Sequence, residues 1–132
     1  MTVTIYHNPD CGTSRNTLAM IRASGVEPEI VLYLDTGWER EQLQALLAEM
    51  DMTPHEVLRV SKSPADALGL TRPDVSGEAI LEAMLLHPIL VNRPIVSSPK
   101  GVRLCRPSEA VYDLLEHPPA EFIKEDGEII RR

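Results

Sequence analysis

The sequence predicts an α/β fold: a mixed four-stranded sheet in the order βαβ…ββα, with a helical insertion between its halves. Three observations carry this expectation. Val3-Thr4-Ile5-Tyr6 alternates apolar and polar, and Glu29 to Leu34 is nearly continuous apolar, so two extended runs flank a helical stretch. Apolar spacing turns helical between residues 39 and 86. Two further extended runs then meet at Pro99-Lys100-Gly101, ahead of a last helical segment.

Taken in order, strand one covers about residues 3–7 and a helix covers about 14–24, closed by Gly25 as a left-handed cap. Residues 29–34 read as a central parallel strand, which completes a right-handed βαβ unit. Leu43, Leu46, Leu47 and Met50 recur at helical spacing over 39–50. Thr53-Pro54-His55-Glu56 is a capping box with proline at the first helical position, opening a helix to about Arg59. Ser63-Pro64-Ala65-Asp66 repeats the start signal, with a stop at Gly69. Ser76 caps a helix whose buried stripe is Ile80, Leu81, Met84 and Leu85. Residues 94–98 and 102–105 form a hairpin, and Pro107 or Ser108 opens the last helix. The charged tail to Arg132 reads as loosely packed. This order of elements is thioredoxin-like. That fold sets a cis proline beside its reactive cysteine, and here the matching residue is Pro94 in Arg93-Pro94-Ile95.

The 132 residues read as one domain, 1–132, with the insertion at about 39–86. No signal peptide is visible at the start, and no apolar run approaches the ~18 residues of a membrane span. A net charge of −7 argues against a nucleic-acid surface, because phosphate affinity rests on excess Lys and Arg. Two cysteines are too few for a disulfide scaffold and fit a reducing cytoplasm. Neither belongs to a closely spaced Cys/His pattern, so no metal site is expected. Ten of the 13 basic residues are arginine, the side chain suited to gripping an oxyanion through two bonds, although genome composition produces the same bias.

The chemistry gathers at His7-Asn8-Pro9-Asp10-Cys11-Gly12-Thr13-Ser14-Arg15. Cys11 lies where a turn opens into a helix, and the N–H groups of Gly12, Thr13 and Ser14 would face its sulfur. Free donors and the positive end of the dipole favour a thiolate, and equally a bound oxyanion. The helix end supplies up to about 2 kcal/mol, and each pKa unit needs ~1.36, so the helix alone gives about one unit. Hydroxyls of Thr13 and Ser14, and arginines from elsewhere, would have to add to it. His7 is placed to tune the thiolate, or is simply a core or turn histidine. Cys11-Gly12-Thr13-Ser14 has the spacing of a Cys-x-x-Cys redox motif with serine in the second place, so an outside thiol must resolve any oxidised state. Position 17 is threonine, so the Cys-x5-Arg loop of tyrosine phosphatases is absent.

Three blocks together resemble the glutaredoxin-linked, glutathione-dependent arsenate reductases. They are Tyr6-His7-Asn8-Pro9-x-Cys11-Gly12-Thr13-Ser14-Arg15-Asn16-Thr17-Leu18, His87-Pro88-Ile89-Leu90-Val91-Asn92-Arg93-Pro94-Ile95-Val96 and Arg103-Leu104-Cys105-Arg106-Pro107-Ser108-Glu109. The similarity spans about residues 3–127 and includes Lys124-Glu125-Asp126-Gly127. The resemblance implies a thioredoxin-like fold in which Cys11 attacks arsenate while Arg59, Arg93 and Arg106 hold the oxyanion. It implies glutathione as co-substrate, glutaredoxin as partner, and no tightly bound cofactor. Each arginine also has a structural reading: Arg59 capping its helix, Arg93 bracing the proline turn, Arg106 pairing with Glu109. Arg103 reads as an outward strand residue, and Cys105 as packed in the sheet. Two other functions stay open. One is a glutathione-dependent thiol oxidoreductase of the same fold; the other is a non-catalytic RNA-polymerase-binding regulator related to the family.

Overall fold

The computed structural model describes residues 2–131. The chain forms two compact units. One is discontinuous in sequence, running to Leu32 and resuming at Arg93; the other is Tyr33–Asn92.

The first unit holds the sheet. β1 (Thr4–Tyr6) leads through a turn into α1 (Gly12–Ala23), and the chain returns as β2 (Glu29–Val31). Gly25 closes α1 at φ 90°, donating its N–H to the Arg22 carbonyl, a left-handed conformation that costs glycine nothing.

The second unit opens with a one-turn helix, α2 (Tyr33–Thr36), followed by α3 (Arg40–Met50), α4 (Pro54–Val57) and α5 (Gly77–Leu86), then a 3₁₀ turn at Pro88–Leu90. The box at α4 is complete: Thr53 Oγ1 accepts from the Glu56 N–H, and Glu56 accepts from the Thr53 N–H. Ser76 caps α5 by accepting from the Ala79 N–H. Leu43, Leu47, Val57, Ile80 and Met84 are buried in this unit, and Tyr33 stacks on Trp38 with ring centroids 5.1 Å apart.

Back in the first unit, β3 (Ile95–Ser98) and β4 (Gly101–Leu104) form the expected hairpin. A 3₁₀ helix follows at Ser108–Leu114, and the chain ends in a second hairpin, β5 (Glu121–Ile123) and β6 (Ile129–Arg131). The four-stranded sheet has the order β2-β1-β3-β4. β1 runs parallel to β2 and antiparallel to β3, with Thr4 opposite Glu29 on one side and Ser97 on the other. Val3, Ile5, Met20, Ile21, Val96, Cys105, Val111 and Leu114 build the buried core of the unit.

Five expectations need correcting. The run 29–34 is not a central strand: β2 is at the sheet edge and stops at Val31, and Ile30, Leu32 and Leu34 stay 36%, 38% and 39% exposed. A short apolar run reports β propensity, not position in the sheet. α4 ends at Val57, because Leu58 turns extended to bridge Val91. Residues 63–69 form turns instead of a helix, with Ser63 spending its hydroxyl on the Arg59 and Val60 carbonyls. The tail is ordered: Phe122 and Ile130 pack against the core. The last helix is also 3₁₀, which explains why its buried residues Ser108, Val111 and Leu114 fall every third position.

Candidate active site

The site grows from two chain segments of the sheet unit. The first is the link from β1 to α1. His7 continues the strand by donating its N–H to the Val31 carbonyl at 2.8 Å. Asn8 then folds the turn: its Oδ1 accepts from the Asp10 N–H at 3.0 Å, and its carbonyl accepts from the Cys11 N–H at 3.1 Å. This side-chain turn delivers Cys11 to the N-cap of α1, in extended conformation and 7% exposed.

The second segment is the open end of the β3–β4 hairpin. Ile95 pairs with Leu104, so Arg93 and Arg106 lie across from each other just beyond the last pair. The Arg93–Pro94 peptide is cis, and the Pro94 carbonyl accepts from the Cys105 N–H at 2.9 Å. The Arg106–Pro107 peptide is cis as well. Arg106 Nη1 donates to the Arg93 carbonyl at 3.0 Å and reaches Cys11 Sγ at 3.8 Å. The register of a hairpin thus carries a guanidinium to the sulfur. Glu109, the partner suggested by sequence for Arg106, pairs with Lys124 instead.

The electrostatics follow from these contacts. Burial pushes the Cys11 thiol up, since it disfavours the charged form. The Ser14 N–H, the charge of Arg93, the hydrogen bond from Arg106 and the Thr13 N–H act against burial and together win, leaving the thiol below its ordinary value. The helix donors that act on the sulfur are therefore those of Thr13 and Ser14. Space does not demand glycine at position 12: a Cβ there would lie 3.7 Å from Arg15 Nη2, ordinary contact distance.

The Ser14 hydroxyl is employed elsewhere. Ser14 Oγ lies 2.6 Å from His7 Nδ1 and accepts from the Asn8 N–H at 3.1 Å. His7 is buried, and burial, then the charges of Arg22 and Arg15, hold it below its usual value, so the ring is neutral. His7 therefore touches Ser14, with no hydrogen bond of its own to Cys11. Cys105 sits wholly buried in the core, its thiol pushed up to about 12 by burial. Both cysteines are free thiols. Arg103 faces out and pairs with Asp113 at 3.0 Å.

Arg59 belongs to the other unit. It is buried there, its Nε donating to the Ser61 carbonyl at 3.0 Å and its backbone N–H to the Leu90 carbonyl at 2.8 Å. Among the described residues, no His/Cys/Asp/Glu group is arranged to hold a metal, and no helix is long and apolar enough to cross a membrane.

A cysteine with a lowered pKa, beside arginines at a helix start, has the chemistry to meet a small oxyanion. Comparison with known proteins bears on what kind. The ArsC family model matches residues 6–114. The chain belongs to the ArsC family. Its relatives include Arsenate reductase ArsI2 of Synechocystis sp., 57% identical over 129 residues, which cover 97% of this chain and 92% of that protein. An arsenate reductase of Rhizobium meliloti is 53% identical over 131 residues, 98% of this chain and 94% of that one. In three dimensions, the arsenate reductase from Vibrio cholerae superposes with a TM-score of 0.82 at 35% identity, covering 87% of this chain and 98% of that one. The fold of this ArsC chain is thus thioredoxin-like, with a mixed four-stranded sheet.

Two parts of the site carry no sequence signal that residue patterns expose. Asn8 is legible as a turn former, but its double use as Asx acceptor and carbonyl acceptor for Cys11 is not. The ion pairs from Lys124 and Glu125 to Glu109 and Arg15 join segments far apart in sequence, which no local pattern marks.

Proposed function

We propose that this chain reduces arsenate to arsenite, with Cys11 as nucleophile and glutathione and glutaredoxin as the external reductants. The observation that carries the reading is the Arg106–Cys11 contact at a helix N-cap, in a chain of the ArsC family. Arg93 and Arg106 neutralise the oxyanion and set arsenic in line with the sulfur. The N–H groups of Gly12, Thr13 and Ser14 offer further donors to the oxygens.

The Cys11 thiolate forms a sulfur–arsenic bond and one arsenic oxygen leaves as water after protonation. A glutathione thiolate then attacks Cys11 Sγ. The electron pair of the sulfur–arsenic bond stays on arsenic, which goes from As(V) to As(III). The two sulfurs together lose two electrons and form a Cys11–glutathione disulfide. Glutaredoxin attacks the glutathione sulfur and returns Cys11 as thiolate. Ser14 stands where a local resolving thiol would be, which is why the second thiol is borrowed. The reaction needs no bound cofactor and suits the reducing cytoplasm.

The test is NADPH consumption coupled through glutathione reductase, with glutathione, glutaredoxin and arsenate present. Oxidation that requires arsenate and vanishes in Cys11→Ser supports the proposal. Equal NADPH oxidation with a glutathione mixed disulfide in place of arsenate, and with glutaredoxin left out, would point to a general thiol oxidoreductase. Phosphate should compete with arsenate without being turned over, because thiols do not reduce it.

A further inference from the structure

The C-terminal hairpin reaches both segments that build the site. Glu125, in its connecting loop, accepts a two-bond fork from Arg15, Nε to Oε1 at 2.9 Å and Nη2 to Oε2 at 3.1 Å. Its backbone N–H donates to Asn16 Oδ1 at 3.0 Å. With two of its nitrogens so held, Arg15 aims Nη1 at the Pro9 carbonyl, 2.7 Å away, in the turn that delivers Cys11. The neighbouring residue serves the other segment. Lys124 Nζ, its side chain only 10% exposed, donates to Glu109 at 2.9 Å and to Glu128 at 2.8 Å. Glu109 follows Arg106 closely on the segment that leaves β4.

The loop that carries this pair is itself fixed. Lys124 N–H donates to the Glu128 carbonyl at 2.8 Å, and Glu128 N–H to Asp126 Oδ1 at 2.9 Å. Below it, Phe122 and Ile130 anchor the two strands on the core. Adjacent residues on a stiff loop therefore tie the Cys11 turn to the Arg106 segment.

We propose that Lys124 and Glu125 are positioning residues, a clamp that holds the Cys11 turn and the Arg106 segment at the separation where guanidinium and sulfur touch. The inference rests on Cys11 being the reacting group. Exposed ion pairs contribute little to stability, and the Arg15–Glu125 pair is half-exposed, so stability is a poor account of that pair. Geometry is a better one, because a displacement of about 1 Å at a reacting centre costs up to a hundredfold in rate.

The test is the double variant Lys124→Met/Glu125→Gln, which removes one charge of each sign and leaves the net charge unchanged. The readout is the rate of Cys11 alkylation by iodoacetamide against pH, followed on the Cys11 peptide by mass spectrometry, together with the melting temperature. The expected result is a rise of about one pH unit in the alkylation midpoint, the size expected when a cation leaves contact with the sulfur. Lys124→Arg should keep the original midpoint, since it preserves the bond to Glu109. A folded double variant with an unchanged midpoint overturns the proposal, even if it melts earlier. Should the double variant not fold, Glu109→Gln breaks the same link from the other side. It should raise the midpoint, and no change there overturns the clamp. Exchanging the pair, Arg15→Glu with Glu125→Arg, restores the ion pair without the bond to Pro9. Its midpoint should remain raised; return to the original value would mean mere docking and overturn the proposal. These arms read the thiol directly, so a raised midpoint supports the clamp even if the unaltered protein leaves arsenate untouched, a result that would sink the proposed function alone.

Discussion

Cys11 and Cys105 are the same side chain in opposite surroundings, and the difference is chemical. Hydrogen-bond donors and two guanidiniums act on the first, while apolar neighbours surround the second. Iodoacetamide near neutral pH should therefore modify Cys11 and leave Cys105 untouched. A Cys11 midpoint at or above the ordinary ~8.5 would refute this account. Cys105→Ser should retain arsenate turnover and Cys11→Ser should abolish it, with a Cys11–glutathione adduct accumulating when glutaredoxin is withheld. Arg93→Ala and Arg106→Ala should each lose at least tenfold in arsenate kcat/KM, about 1.4 kcal/mol of transition-state binding. Unchanged arsenate kinetics in both would remove them from the site, and a parallel fall in melting temperature would mark them as braces. His7 gives a pH signature. Its folded value is depressed, so as pH falls the unfolded chain takes up the proton first. The stability due to neutral His7 is complete above about pH 6.5 and is lost as pH falls through the lower folded value. A plot of melting temperature against pH should slope downward below that point, and His7→Gln should flatten it.

The turns and caps that shape the elements differ in how openly the sequence announces them. Gly25 and the Thr53 capping box were readable because each is a local device with its residues within one turn. Gly25→Ala, forced to hold φ 90°, should cost roughly 1 kcal/mol, measurable by urea unfolding; an unchanged midpoint would mean the cap can relax. Helices over 40–50 and 77–86 were legible because their apolar residues keep a helical period over several turns. Short runs are less legible. Residues 29–34 contain enough strand formers for a buried strand, yet Tyr33 begins a helical turn to stack on Trp38. Residues 63–69 carry a good start signal, but with few residues to propagate it, side-chain bonds to the backbone hold turns. The last helix is legible in its position but not in its 3₁₀ type, since spacing of three and of three-and-four overlap over so few residues.

At the scale of the whole chain, the order of elements was enough to give the sheet, whereas the hairpin at 121–131 was hidden by its charge. Glu121, Lys124, Glu125, Glu128 and Arg131 read as a solvated tail, but each is in an ion pair in the fold. Those partners are named by tertiary structure alone. The sheet unit is also split: β1 waits for β3, so that Thr4 meets Ser97 only after the other unit's sequence has passed. During synthesis the cysteine therefore leaves the ribosome long before Arg93 and Arg106 exist. Its helix can be made early, but its guanidiniums cannot be. A nascent chain halted at Asn92 should thus show a Cys11 alkylation midpoint above that of the finished protein, because the charge of Arg93 and the bond from Arg106 are missing. The sulfur thus gains its last two activating groups only when the second half of the sheet unit has been made.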